Sequence, residues 1–395
     1  MPETTRVFHC RFCQVRHFID AGAHPSLLIE PRHQVRGELV YVPYWRVRGM
    51  ALVINDVHRV EHRLVDTSLA AVPFPGLPVS LGLRAQAMRL RFAEPGIPGR
   101  FLRPELRLEA VRTILTVGHP GAGPDVSDRV SLPQSLIGDI VSLVHAPMDV
   151  RGDTVLDALS GREADPDLAL VLSRAGSRDS LPVPGFLPAM CPVCGWDLEG
   201  PADSLALVCR QCQTVNIPHR GGLQAGGLSF LAEPGSGDLC LPVWEVTLTA
   251  SDLALETFAD LIRLTNLPMV VRPEHEARPL VFRIPAFKVN PPLFLRLAAQ
   301  LTLFRGDSRP GRVPIDASFF PVTLPAREAF QASPMVLAHL APNKRQVAPL
   351  VKENRFKLRS ARLVHVPFSD NIAEYLQWDM NVSIQKQALI WGRGL

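Results

Sequence analysis

Four of the seven cysteines in this 395-residue sequence stand as two C-x-x-C pairs, Cys191-Pro-Val-Cys194 and Cys209-Arg-Gln-Cys212, with fourteen residues between them. Each pair sets two thiolates on a tight turn, and two such turns face to face supply the four sulfurs of a structural Zn²⁺ site, with Zn–S of about 2.3 Å. Gly195 follows the first pair where a positive φ lets the backbone curl its amides towards sulfur. Four thiolates saturate a tetrahedral ion and leave no position for water or substrate, so catalysis at this metal is not expected. Iron is the other ion that four sulfurs suit. C-P-x-C-G in the first pair favours it, and Gln213, where a matching glycine would stand, speaks for zinc. Two disulfides would also fit the spacing, but they suit an oxidising compartment.

Other residues invite chemistry more weakly. Cys10-Arg-Phe-Cys13 is a further knuckle, and Glu30 and His33 fall where a second cysteine pair would stand if residues 26–33 matched 205–212. A second Zn²⁺ on Cys10, Cys13, His33 and Glu30, or His17, is one reading; a knuckle that kept its turn and lost its metal is the plainer one. His58-Arg-Val-Glu61-His62 matches H-x-x-E-H, which needs a helix to bring both imidazoles to one metal. The flanking residues read as two strands, where His58 and His62 would lie about 13 Å apart. There is no G-x-x-x-x-G-K-[ST], no G-x-S-x-G, and no G-x-G-x-x-G after a strand. Cys240, between Leu239 and Leu241, reads as a buried and inert thiol. From Lys344 to Arg362 stand seven basic residues, Lys344, Arg345, Lys352, Arg355, Lys357, Arg359 and Arg362, against one acid, Glu353. They read either as a docking surface for phosphate or an acidic protein, or as a solvated face.

Residues 189–216 resemble a zinc ribbon of the kind found in transcription factor IIB and RNA polymerase subunits. More broadly, the chain resembles uncharacterised bacterial zinc-ribbon proteins in which a proline-aromatic strand, here Val42-Pro-Tyr-Trp45, follows the ribbon. The resemblance implies a small β fold and a metal; it implies no activity.

The positioning elements show order. Leu39-Val-Tyr-Val-Pro43-Tyr-Trp is echoed by Leu239-Cys-Leu-Pro242-Val-Trp, and Leu143-Val-His-Ala-Pro147 by Leu363-Val-His-Val-Pro367. Val72-Pro73 pairs with Ile284-Pro285, and Val130-Ser-Leu-Pro133 with Val322-Thr-Leu-Pro325. Echoes in constant order imply a tandem duplication. On this alignment the basic segment is an insertion in the second copy. Strands are expected at 36–54, 57–66, 106–116, 141–150, 239–249, 280–288, 361–367 and 380–386. Helices are expected at 79–90, 133–142, 252–264 with Ser251 as cap, and 293–303. The expected fold class is α+β: two tandem β-rich mixed units, a four-cysteine zinc ribbon opening the second and a degenerate ribbon opening the first. The boundaries are 1–36 for the degenerate knuckle, 37–170 for the first unit, 171–188 for a linker, 189–216 for the ribbon and 217–395 for the second unit.

A composition 47% hydrophobic and 20% charged buries a sizeable core, and a net charge of +4 makes no global demand for nucleic acid or an anionic membrane. No apolar run reaches the ~18 residues of a membrane span, and no signal peptide precedes the first strand, so a cytoplasmic location is expected. The expected role is a non-catalytic adaptor or structural subunit of a larger protein complex. The alternative is a nucleic-acid-binding protein that uses the ribbon and the basic segment.

Overall fold

The computed structural model describes the chain apart from residues 1–3, 21–23, 55–59, 83–87, 109, 112–113, 115–133, 178–180, 182–184, 220, 315, 343 and 395. The strands of the N-terminal half are β1 (Val7–His9), β2 (Arg16–Asp20), β3 (Ser26–Ile29), β4 (Glu38–Ile54), β5 (Val60–Ala70), β6 (Leu90–Phe92), β7 (Arg100–Phe101), β8 (Gln134–Arg151), β9 (Thr154–Asp157) and β10 (Gly185–Pro188). The C-terminal half contains β11 (Leu207–Cys209), β12 (Thr214–His219), β13 (Gly222–Gly227), β14 (Ser229–Phe230), β15 (Leu239–Ala250), β16 (Phe282–Pro285), β17 (Arg309–Pro310), β18 (Ser318–Phe319), β19 (Phe356–Asp370), β20 (Glu374–Gln377) and β21 (Val382–Gln385). The helices are α1 (Asp167–Arg174), α2 (Phe258–Thr265), α3 (Pro273–Ala277), α4 (Pro291–Leu303), α5 (Ala326–Leu340), α6 (Lys344–Glu353) and α7 (Lys386–Gly392).

Two large sheets carry the α+β fold, and they have one topology. The first runs β5-β4-β8-β3-β6 and the second β16-β15-β19-β14-β17; β7 and β9 join the first where β18 and β20 join the second. Registers match residue by residue. Pro43 pairs with His145 as Pro242 pairs with His365, and Tyr41 lies beside Phe101 as Cys240 lies beside Phe319. The Trp45 indole donates to the Leu106 carbonyl at 2.8 Å, and the Trp244 indole to that of Leu324 at 2.7 Å. Both long ladders shift register at the same level, between Arg48 and Met50 and between Thr247 and Leu248. The strands 39–49 and 239–246 therefore occupy equivalent places in two copies of one unit.

Three details of the expected alignment are corrected by these registers. Leu106 and Leu324 are equivalent, so Val322-Thr-Leu-Pro325 corresponds to residues 104–107; Val130–Pro133 lies outside the described residues. The basic segment is consequently no insertion: the chain between Leu106 and β8 corresponds to the stretch that builds α5 and α6. Leu69 and Ile284 face the two tryptophans, which makes Ala70 the counterpart of Pro285 and takes Val72-Pro73 out of that match.

Some elements also differ. Residues 108, 110, 111 and 114 are helical where a strand was expected, and 134–151 is one strand where a helix was expected at 133–142. Residues 80–82 and 88–89 are not helical, and 83–87 lie outside the described residues. Helix α2 begins at Thr257, whose hydroxyl accepts from the Asp260 amide while Asp260 returns a bond to the Thr257 amide; Ser251 caps nothing and binds Asp252 and Asn354. The stretch expected as a linker contributes the end of α1 and all of β10.

The two units share a core. The ends of β4 and β8, through Met50, Leu52, Ile54 and Ile137, join the cluster formed by Phe282, Phe294, Val336 and their neighbours. At the bulge, Gly138 takes φ +67° and its amide donates to buried Glu328 of α5 at 2.5 Å. No helix among the described residues is long and apolar enough to cross a membrane.

Candidate metal centre

Three turns in this chain share one backbone. At Cys191 the amide donates to the Trp196 carbonyl and the Cys191 carbonyl accepts from Gly195, which sits at φ +73°. At Cys209 the carbonyl accepts from Gln213, at φ +58°, and Cys209 pairs with Thr214 across β11 and β12. At Cys10 the amide donates to the Val15 carbonyl and the carbonyl accepts from Gln14, again at φ +58°. Left-handed backbone costs a non-glycine residue about 1–2 kcal/mol. Both glutamines gain a compensating bond, their side-chain amides donating to the carbonyls of Arg11 and Arg210. The absence of a glycine after Cys212 therefore does not mark a different turn, and it does not discriminate zinc from iron.

The Cys191 and Cys209 turns face each other. Their four sulfurs lie within 4.8 Å of one another, with Cys191 to Cys212 at 3.4 Å and Cys194 to Cys209 at 3.5 Å. A disulfide needs about 2.05 Å, whereas the edge of a sulfur tetrahedron around an ion at 2.3 Å is about 3.8 Å. The spacing fits a tetrathiolate metal site. Cys191 and Cys209 are buried, Cys194 is exposed and Cys212 lies between. Burial pushes the Cys191 thiol up, but bonds from the Thr214 hydroxyl and the Cys194 and Val193 amides outweigh it and bring it down to about 6. Burial, reinforced by the neighbouring thiols, drives Cys209 up to about 12. Four sulfurs this close resist carrying four negative charges unless a cation lies among them, which is the chemistry of a metal-binding donor set.

Thr214 and Asn216 were not legible as part of the site. The Thr214 hydroxyl lies 3.1 Å from the Cys212 sulfur and 3.6 Å from that of Cys191, and the Asn216 amide donates to the same hydroxyl. Such outer partners orient ligands. A T-x-N beside the second pair was the only signal for them.

The sheet β1-β2-β10 packs beside this centre. Val7, Phe18 and Leu187 turn inward onto Ala189, Cys191, Leu198, Leu207 and Cys209. The alternate residues Phe8, His17 and Phe186 stack outward, with centroids 5.2 to 6.5 Å apart. Phe186, Met190, Val193, Trp196 and, at the Cys10 turn, Phe12 are exposed.

The expected second metal set does not assemble. Among the described residues only Cys191, Cys194, Cys209 and Cys212 converge. Glu30 pairs with Arg91, and His33 packs against Gly161 with its amide bonded to Ala158, because residues 26–29 form a strand of the large sheet and no second knuckle. The Cys10 turn shares the backbone bonds of the Cys191 turn and, in its left-handed glutamine, also matches that of Cys209. Of the H-x-x-E-H residues, His58 lies outside the described residues, and Glu61 and His62 stand on β5. Cys240 is buried on β15, its thiol pushed up to about 12 by burial.

The basic segment is a helix followed by a strand. Lys344, Arg345 and Lys352 lie on α6, and their side chains are outside the described residues. Arg362 binds Glu245 at 2.7 Å and Arg359 binds Glu256 at 3.0 Å, which leaves exposed Arg355, just before β19, and Lys357 on it without an acidic partner among the described residues.

Two cavities lie near the junctions. One, of about 310 Å³, has Arg6, Asp203, Lys288, Glu328 and Arg393 on its walls; Arg393 chelates Asp203, and Glu328 accepts from Gly138. The other, of about 300 Å³, is lined by Ser204, Arg210, Phe319 and His365; Ser204 donates to the Ala206 carbonyl, and Arg210 to that of Ala317. Asp203, Arg393, Glu328, Ser204 and Arg210 are thus engaged in holding segments together.

His365 is buried between Phe230 and Phe319 with Nδ1 unpartnered, and burial lowers its pKa from 6.5 to about 3. The unfolded chain therefore binds the extra proton between these values, so stability falls as pH drops through this window, by about 1.4 kcal/mol per pH unit from this group. Urea midpoints measured from neutral pH towards pH 5 should fall less steeply for His365→Phe than for the wild type. Equal slopes would remove His365 as the source.

No protein-family model, curated protein or solved structure matches the chain.

Proposed function

We propose that the chain is a non-catalytic adaptor or structural subunit of a larger protein complex, in which Zn²⁺ folds a ribbon of the type that residues 189–216 resemble. The observation that carries the reading is the convergence of four sulfurs in a module that turns aromatic side chains to solvent. A metal with four protein ligands organises a surface and has no open position for a reaction. Phe186, Val193 and Trp196 are exposed on that module, and aromatic side chains are enriched where proteins meet. The free thiols suit a reducing cytoplasm.

The nucleic-acid reading draws less support, since Arg359 and Arg362 already hold carboxylates. Affinity capture from the native host tests both readings. The triple variant Phe186→Ser/Val193→Ser/Trp196→Ser should lose the captured proteins, while Arg355→Gln/Lys357→Gln should keep them, with little sensitivity to salt. Retention by the triple variant, or salt-sensitive gel shifts with DNA or RNA that vanish on replacing Arg355 and Lys357, would overturn the adaptor reading.

A further inference from the structure

The Cys10 turn is half of a metal site. It has the backbone of the Cys209 turn down to the positive φ of its glutamine and the side-chain bond to the intervening arginine carbonyl, and Cys13 is exposed. Nothing in the described chain completes it. His9 and His17 each bond a carbonyl, of Gln14 and Val15, through one ring nitrogen, and among the described residues neither converges with Cys10 and Cys13; Glu30 and His33 are held elsewhere. Phe12, between the two cysteines, is 98% exposed, which places an apolar ring at the tip of the turn with no covering group.

The chain's own four-cysteine centre indicates what completes such a half. It consists of two like turns, each giving two sulfurs, set face to face. A tetrahedral tetrathiolate divides into equal halves about a twofold axis through the metal, so two copies of one turn can supply both halves. We infer that Cys10 and Cys13 bind a soft divalent cation, Zn²⁺ by preference, jointly with Cys10 and Cys13 of a second copy of this chain. The cation bridges a twofold dimer, and the two Phe12 rings flank the seam. This inference is independent of the adaptor reading.

The test uses the full chain, purified anaerobically with reductant and zinc and then freed of loose metal. Light scattering and metal analysis should give a dimer with about 1.5 zinc ions per chain, one in the four-cysteine centre and half of a shared ion. Cys10→Ser/Cys13→Ser changes only a surface turn; it should give a monomer with about one zinc per chain, its thermal transition unchanged. A wild-type monomer with one zinc per chain would overturn the inference. So would a monomer with two, meaning that the site closes within the chain, or a dimer that survives the double substitution.

Discussion

Cys209→Ser should remove the metal of the four-cysteine centre and unfold the module around it while leaving both large sheets intact. The reason is the size of the local core. The cluster at the metal holds only Val7, Phe18, Ala189, Leu198 and Leu207 besides Cys191 and Cys209 themselves, far too little apolar area to fold strands as short as β11. Structural zinc, the metal proposed for this centre, contributes on the order of 10–16 kcal/mol of apparent binding energy where it is bound, enough to substitute for a core. A serine hydroxyl in the place of a thiolate forfeits most of that. The sheets draw on much larger clusters around Val144 and Val364, the second of which the ribbon joins at its margin through Ala206 and Val215, so their cooperative transition should persist. The expected result is the loss of one zinc equivalent, rapid proteolysis at Arg210 and a retained main thermal transition. A variant that keeps its zinc and resists protease would place the metal elsewhere.

Glu245→Ala should be the most destabilising single change outside that centre, by about 3–5 kcal/mol. Glu245 on β15 accepts from Arg283 on β16 at 3.1 Å, from Ser308 at 2.8 Å and from Arg362 on β19 at 2.7 Å. Burial pushes its carboxyl up, but these donors outweigh it and hold the pKa below the usual range. Arg283 is almost fully buried, so removing the carboxylate leaves a guanidinium without its counter-charge, even though it still donates to the carbonyls of Phe304 and Gly306. The double variant Glu245→Leu/Arg283→Met should recover much of the loss, because it removes the buried charge as well as its partner. Urea unfolding of the wild type, Glu245→Leu, Arg283→Met and the double variant distinguishes this from packing: if the double variant loses as much as the two single losses together, the pair does not act as a pair.

What could be read from the sequence is what short-range spacing encodes. C-x-x-C fixes a turn locally, so the four-cysteine centre was legible, and the repeated proline-tryptophan strand exposed the duplication. Correspondences over longer spans went astray because apolar triplets such as V-S-L-P recur without meaning. Only the bonds of Trp45 and Trp244 show that Leu106 matches Leu324. Residues 106–116, rich in branched side chains, read as a strand, yet the described part of that stretch is helical where it lies over the sheet, tertiary packing overriding propensity. Helix α5 was missed because Pro334 stands inside it. The network on Glu245 depends on which residues face one another across three strands, and that register has no local signature. The left-handed glutamines were hidden for a different reason: a positive φ is expected of glycine, and the local bond that favours Gln213 there, to the carbonyl of Arg210, has no recognised motif.

Zinc K-edge X-ray absorption on the purified full chain tests the central claim most directly, because it counts the atoms bound to the metal. A closed, non-catalytic centre should show four sulfurs at about 2.3 Å and no nitrogen or oxygen in the first coordination shell. An oxygen ligand at about 2.0 Å would mean an open position holding water, and the centre would then have to be read as a site of reaction.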